Sequence, residues 1–444
     1  MVLVYTPKIT PRLRYIFKHI FVRILNVQVR FTNKVEEFLA HSGCKLTYSK
    51  VPLGDSFFIR SHDLLFEQGI NDIEIAVQEW EEVPCFFAAG KKSSIPFDVF
   101  AASFYLLTRY EEYLPHVQDA YERFPAEESL AFKNNFLDKP LIDIWAYKLA
   151  EILKVHFHDF DFEPTPYNYI SLFTINEAFL YKAKGVIRTV GGFLVDLFTL
   201  KLGAFWDRGM VLLKLRKDPY DVYDRMVSLQ KNYKVSTMVF FLIGNFTTYD
   251  TNISLTKTKF RLLIKSMSDY VKVGLNASFF TMNNEEMLKK ELTKMEDIIH
   301  IPTVRTRQHY LRVNLPETYQ NLIDLEVEED YSMGYPDHLG FRASTCTPFY
   351  FYDLDFEIQT PLKVFSFSIS DLVFKESLAL SKRQAFLEIK ESLEQVKKVN
   401  GTFVTLFHNK LLSNYGEWRG WKYFYEEVLQ LASVSKESIK RGKG

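Results

Sequence analysis

The larger, C-terminal part of this 444-residue chain is expected to be an α/β domain, preceded by a smaller α+β domain. Three observations carry that expectation. Beyond residue 165, apolar runs of strand length alternate with helix-length stretches, the signature of parallel strands joined by helical crossovers. The stretch Tyr169–Ile175 is a short apolar run that ends on polar residues and then breaks; α/β folds collect their chemistry at such strand ends. Between these regions the segment FHDFDFEPTPYNY, with Pro164 and Pro166, reads as a linker, which places a boundary near residue 165.

Taken in order, Met1–Tyr5 alternates weakly and reads as a strand. Pro11–Leu25 carries a helical stripe at Leu13, Ile16, Phe17, Ile20 and Ile24. Short apolar runs separated by Gly and Asp suggest small strands between Lys45 and Val83. The strongest helix of this half is expected over Pro96–Leu114, opened by Pro96 or Phe97, with Phe100, Phe104, Leu107 and Tyr110 on one face. Another helix is expected over Leu141–Val155. In the second domain, strands are expected at Tyr169–Ile175, Thr237–Ile243, Tyr270–Leu275, Val327–Tyr331, Leu362–Phe367 and Thr402–Phe407. Helices fall between them at Tyr220–Asn232, Thr258–Ser268, Asn283–Ile298, Pro316–Leu322 and Ser381–Asn400, and the run Lys182–Leu202 reads as helical or mixed. The expected division is 1–165, 166–435 and a loose basic tail, KESIKRGKG, at 436–444.

Composition narrows the function classes. A 47% hydrophobic and 25% charged content is that of a globular protein. Formal net charge is zero, so no global field points to nucleic acid or to an anionic membrane. Cys44, Cys85 and Cys346 are scattered without CxxC spacing, which argues against a disulfide framework and a thiolate zinc site and suits a reducing compartment. The N-terminus lacks an uninterrupted apolar stretch of signal-peptide length and no run is long enough to span a membrane, so the expected location is cytoplasmic. The aromatic share is 16%, which points first to a Phe-rich core and second to grooves that stack on sugar rings. The string RYEEYLPH at Arg109–His116 offers Glu111 and Glu112, but adjacent residues do not share a helical face. It reads better as a helix end whose charges are solvated or tie the domains together.

Five motifs carry a resemblance. Leu172-Phe173-Thr174-Ile175-Asn176-Glu177-Ala178-Phe179 lies where T-Y-D-I-D-x-A-Y stands in a subgroup of the polysaccharide deacetylases, the carbohydrate esterases that include chitin and peptidoglycan deacetylases. VGLNASFFTMNNEE, from Val273, is similar to the segment that supplies two His ligands four residues apart; here Asn276 and Phe280 occupy those positions, with Ser278 between them and a helix cap at Asn283 or Asn284. Gly340-Phe341-Arg342 resembles the third motif, preceded by the closely matching DYSMGY at Asp330–Tyr335. Asp371 in FSFSISD and His408 in TLFHN resemble the fourth and fifth, and TRQHYL at Thr306–Leu311 contributes Arg307 and His309. YTPKITPRLRYIFKHIF and PFDVFAASFYLLTRYEEYLPH resemble the same subgroup, so the likeness covers nearly the whole chain.

The resemblance implies a distorted (β/α)7-type barrel for the second domain. It also implies amide hydrolysis by an Asp-His-His divalent metal site such as zinc, an Asp base oriented by Arg342, and His408 as general acid. Thr174, Asn176, Asn276 and Phe280 replace the base and all three ligands, however, and Phe cannot coordinate a metal. The expectation is therefore a deacetylase-like protein with no metal cofactor. His408, Arg342 and Asp371 would be catalytic remnants. Thr174, Asn176, Asn276, Ser278, Arg307 and His309 would line a cleft that binds a carbohydrate or sugar-containing ligand without hydrolysing it. A protein partner could engage the N-terminal domain. The competing expectation is an active hydrolase, removing N-acetyl groups from a surface polysaccharide through a rebuilt site in which His309, His408 and Glu177 could serve as ligands.

Overall fold

The computed structural model of the protein describes residues 1–433; the expected tail at 436–444 lies outside the described residues. The chain forms two compact units. The first comprises Met1–Asn168, Val313–Ser368 and Glu391–Phe403, and the second comprises Tyr169–Arg312, Ile369–Lys390 and, of the described residues, 404–433.

The first unit begins with a four-stranded parallel sheet of β1 (Val2–Tyr5), β2 (Val29–Thr32), β3 (Lys45–Ser49) and β4 (Phe57–Arg60), in the order β2-β1-β3-β4. A small antiparallel pair, β5 (Gln78–Trp80) and β6 (Val83–Cys85), follows. The helical stripe from Pro11 is present as an α-helix, Pro11–Phe17, that widens into π-helical turns over Lys18–Ile24. Thr10 caps it, accepting from the Leu13 N–H. The expected helix from Pro96 is shorter than its pattern. It runs Val99–Leu107, capped by Asp98, whose carboxylate accepts from the Phe100 and Ala101 N–H groups, the Tyr48 hydroxyl and the His62 N–H. Every residue of it is buried, so the one-sided stripe gives way to a helix enclosed all round. It stops because Arg109 takes a left-handed backbone, φ 55°. Helix Leu141–His156 forms as expected. Much of the aromatic content fills this core: the Phe17 and Phe100 rings stack with centroids 3.6 Å apart, and Tyr48 meets Phe17 edge-on at 5.2 Å.

In the second unit β7 (Asn168–Ile175), β8 (Ser236–Leu242), β9 (Lys272–Ala277) and β10 (Arg305–Gln308) pair in parallel, each with its next neighbour. Helices Tyr223–Tyr233, Thr258–Ser268 and Glu285–Ile299 lie in the connections, as parallel pairing requires. β7 to β9 are buried from their second residue to their last, which explains why they read as continuous apolar runs rather than alternating ones. Gly274 in β9 is needed for close approach: a Cβ there would sit 2.7 Å from the Arg305 carbonyl oxygen and from the Phe240 ring. The Asn284 side chain caps the helix that begins at Glu285, accepting from Met287 N–H. The chain re-enters the first unit for β11 (Glu329–Asp330), β12 (Phe349–Asp353) and β13 (Ile358–Val364), where β13 pairs antiparallel with β12 and parallel with β11. β14 (Ile369–Ser370) then pairs in parallel with β15 (Thr402–His408), which lies next to β7. The second unit is thus a mixed α/β structure on the strand order β10-β9-β8-β7-β15-β14.

The string RYEEYLPH is not a solvated helix end. In the first unit, Glu112 is buried and accepts from Arg342 Nε and Nη2, at 2.9 and 2.7 Å, and from Arg109 Nε at 2.7 Å. Arg109 also reaches Glu111, at 2.8 Å, and the Tyr335 hydroxyl, at 3.2 Å. Burial alone would raise the Glu112 carboxyl, but the two guanidinium groups, Arg342 foremost, outweigh it and hold the carboxyl down at about 2. With the folded value below the ordinary 4.5, the pair's contribution to stability is complete above that value and is lost as pH falls towards 2. Glu112→Gln leaves two buried guanidinium groups without their shared counter-charge. The expected loss is about 3–5 kcal/mol by urea denaturation at neutral pH; an unchanged midpoint would show that the cluster is not structural.

Candidate functional site

The parallel strands of the second unit carry polar residues at their carboxyl ends, where apolar side chains are no longer required by the sheet. Thr174 lies within β7 and Asn176 just beyond it; Asn276 lies in β9 and Arg307 in β10, directly opposite one another in the strand register. The Asn276 Nδ2 donates to Asn176 Oδ1 at 2.9 Å, and Arg307 Nη1 donates to Asn276 Oδ1 at 3.2 Å. These amides satisfy one another. The Thr174 hydroxyl oxygen, fully buried, has no hydrogen-bond partner among the described residues.

Two Asp–His pairs belong to the same unit. His309 follows β10, and its Nδ1 lies 2.8 Å from an Asp250 carboxylate oxygen. His408 ends β15, and its Nδ1 lies 2.7 Å from Asp371 Oδ1, while its backbone N–H donates to Asp371 Oδ2 at 2.7 Å. An Asp at Nδ1 selects the tautomer with its proton there and leaves Nε2 as the lone-pair nitrogen, the arrangement of a general base or, once protonated, a general acid. Burial lowers the His309 imidazole below its ordinary range; Asp250 opposes this, and Arg307 and His408 add to it, so His309 is neutral near pH 7. His309, His408 and Arg307 therefore share one electrostatic neighbourhood. Both Asp–His pairs lie deep, with each imidazole nearly buried.

The remaining expected residues divide. Ser278 is brought into this region but is tied to Glu291, with Ser278 Oγ donating to Oε1 at 2.5 Å and Ser278 N–H donating to Oε2 at 3.0 Å. Glu177 meets Lys184 and Lys410 at 3.5 and 3.9 Å rather than a histidine. Arg342 belongs to the first unit, where Glu112 engages it on two sides.

Asp250, Glu291 and an aromatic cluster were not singled out from sequence. Asp250 stands in a loop without periodicity and left no signal. Glu291 did leave one, a carboxylate among Leu288, Leu292 and Met295 on the buried stripe of its helix. In the cluster, Tyr249 stacks on Phe279 at 3.8 Å, Phe280 meets Tyr249 edge-on at 5.9 Å, and Phe280 is 45% exposed. An open groove of about 590 Å³, lined by Gly244, Phe246, Arg261 and Lys294 among others, includes none of the Asp–His residues.

The positions that the resemblance assigns to a metal do not fit one. They present a hydroxyl, two mutually bonded amides and a phenyl ring, with no carboxylate or imidazole among them. Among the described residues, the group of three or more carboxylate, imidazole or thiol side chains with converging donor atoms is Glu127, Asp337 and His338 of the first unit, remote in sequence from those positions.

Burial pushes the Glu291 carboxyl up to about 7; the two bonds from Ser278 oppose the shift and the Asp250 charge adds to it. A folded value above the ordinary 4.5 makes the contribution of this group complete below 4.5 and lost as pH rises through about 7. The melting temperature should therefore fall on passing from about pH 5 to about pH 8, and Glu291→Gln, whose amide oxygen can accept from the Ser278 N–H while its NH2 donates to Ser278 Oγ, should flatten that slope. An identical slope in the variant would assign the titration elsewhere.

Residues 2–158 match a family described as a family of unknown function, DUF7033. No curated protein matches the sequence. Among solved structures, the chain is similar to a Mycobacterium smegmatis protein provisionally described as a polysaccharide deacetylase, at 14% identity and a TM-score of 0.39, over 63% of this chain and 91% of that one. It is also similar to the Puue allantoinase, at 10% identity and a TM-score of 0.36, over 61% of this chain and 89% of that one. At that level of superposition neither bears on the activity of this chain.

Proposed function

We propose that the second unit is a polysaccharide-deacetylase-type barrel whose metal site has become a binding site for an N-acetylated sugar, and that it holds the sugar without hydrolysing it. The observation that carries this reading is the Asn176–Asn276 hydrogen bond, which joins two of the positions the resemblance assigns to ligands and extends to Arg307. Amide and guanidinium side chains are the donor and acceptor types that sugar hydroxyls and an acetamido group call for, without an ion between them. Tyr249 and Phe280, both partly exposed, add an apolar platform on which the CH face of a pyranose can rest. Phe280, which stands in place of a histidine ligand, thereby gains a role in the same site.

A second reading rests on the two Asp–His pairs, which are equipped for metal-independent acid–base hydrolysis of the same acetamido group. The two readings part on turnover. Titration of oligomers of N-acetylglucosamine into EDTA-treated protein is expected to show saturable binding and no release of acetate. Phe280→Ala should weaken binding about three- to tenfold, as loss of one aromatic contact does. Steady acetate release that disappears in both His309→Gln and His408→Gln would establish the hydrolase instead, and no binding at all would remove the sugar reading.

Restoring the two carboxylates is not expected to restore an ion. Thr174→Asp combined with Asn176→Asp still faces Asn276 and Phe280, so elemental analysis after zinc loading should find no stoichiometric metal. Tight zinc in that double variant would show that His309 or His408 completes a site.

A further inference from the structure

Between β7 and β8 the chain makes a closed excursion, residues 182–217. Its two ends are held together by Asp218, whose carboxylate accepts from the N–H groups of Leu180, Tyr181 and Lys182 at 2.9 to 3.0 Å. The excursion is a pair of helices, Val186–Phe198 and Leu202–Leu212, joined by the turn at Thr199–Lys201. Its polarity is inside out. Asp196 is the buried residue of the first helix and pairs with Arg208 of the second at 2.9 Å, while Phe193 and Phe205 meet edge-on at 5.0 Å beside it. The larger apolar side chains point the other way. Ile187, Val190, Leu194 and Phe198 recur at helical spacing on one helix, with Ile187 88% and Phe198 81% exposed. Leu202, Trp206 and Leu213 do so on the other, with Trp206 70% exposed, and Leu200 in the turn is 80% exposed. A contiguous apolar face of this kind, on a structure otherwise well buried, requires an occupant.

The charges say which kind. The excursion holds eight Lys and Arg against two acidic residues, in a chain whose net charge is zero. Both of its carboxylates are paired, Asp196 with Arg208 and Asp207 with Arg216. Arg188, Lys201 and Lys214, by contrast, have no carboxylate partner among the described residues, and Lys201 stands in the turn between Leu200 and Leu202. Neither helix is long and apolar enough to cross a membrane. Short amphipathic helices with an apolar face, a tryptophan and uncompensated cations at the margin are the form that lies in the headgroup region of an anionic bilayer, with lysines reaching out to the phosphates. We propose that the 182–217 hairpin docks the protein on an anionic lipid surface, with the Phe198–Leu202 turn and Trp206 buried in the headgroup–acyl boundary. Glu177, which adjoins Asn176, pairs with Lys184 at the base of the hairpin.

The test is co-sedimentation of the full chain with phosphatidylcholine vesicles, with and without phosphatidylglycerol. The wild type should sediment with the phosphatidylglycerol-containing vesicles and be released in part, not wholly, by high salt. Lys201→Glu with Lys214→Glu should weaken binding by about tenfold or more, because each basic residue near such a surface counts separately. Phe198→Ser, Leu200→Ser and Trp206→Ser together should abolish it, and because all three side chains are exposed the melting temperature should be unchanged. The proposal is overturned if the wild type stays in the supernatant, or if the triple serine variant sediments as the wild type does. It is equally overturned if, without lipid binding, the wild type dimerises in sedimentation velocity and the triple variant does not; the face would then belong to a second copy.

Discussion

Glu112, buried between the guanidinium groups of Arg109 and Arg342, is the contact on which the first unit depends. A carboxylate removed from water is tolerated only when its charge is answered at hydrogen-bond distance, and here two cations answer it from opposite directions along the chain. Arg342 is 230 residues from Glu112, so the contact ties the segment Val313–Ser368 to the N-terminal part of the same unit. The strings GFR and RYEEYLPH, which look like separate motifs in the sequence, are two halves of one buried cluster. The resemblance assigns Arg342 the orienting of a base; in the structure its guanidinium is bonded to Glu112.

The second unit follows the same rule with different partners. Asp250 meets His309, Asp371 meets His408, Asp196 meets Arg208, and Glu291, which burial shifts towards its protonated form, is held by Ser278. At the strand ends the neutral Thr174, Asn176 and Asn276 stand beside the charged Arg307 and the two Asp–His pairs. An Asp-His-His ligand set with a second Asp beside it is held together by the ion it binds; without that ion, the two carboxylates would repel each other. Amides at Asn176 and Asn276 carry donor and acceptor at once and can close on each other. Thr174, Asn176, Asn276 and Phe280 make a set of neutral groups, two of them bonded to each other, that needs no ion to hold it together.

The hairpin at 182–217 shows how a whole-chain quantity can hide a local one. Zero net charge speaks against a global attraction to anionic surfaces, and that remains true of the molecule as a whole. Attraction at a surface is local, however, since it falls off within a Debye length, and the excess of cations in these 36 residues is balanced by acids elsewhere.

Much of the fold was legible from the residues because strand and helix patterns are local. Helix Thr258–Ser268 has the expected bounds, and β7, β8 and β15 lie within a residue of theirs, because a buried parallel strand is a short apolar run between breakers. That Thr174, Asn176, Asn276 and Phe280 include no carboxylate or imidazole was likewise a matter of residue identity. Only the tertiary structure decided which acid meets which base, because Asp250 and His309 are 59 residues apart and no periodicity records such a pairing. It also decided that the apolar residues between Ile187 and Leu213 face outwards. A helix pattern shows which side chains share a face, while whether that face is covered depends on what the rest of the chain packs against it.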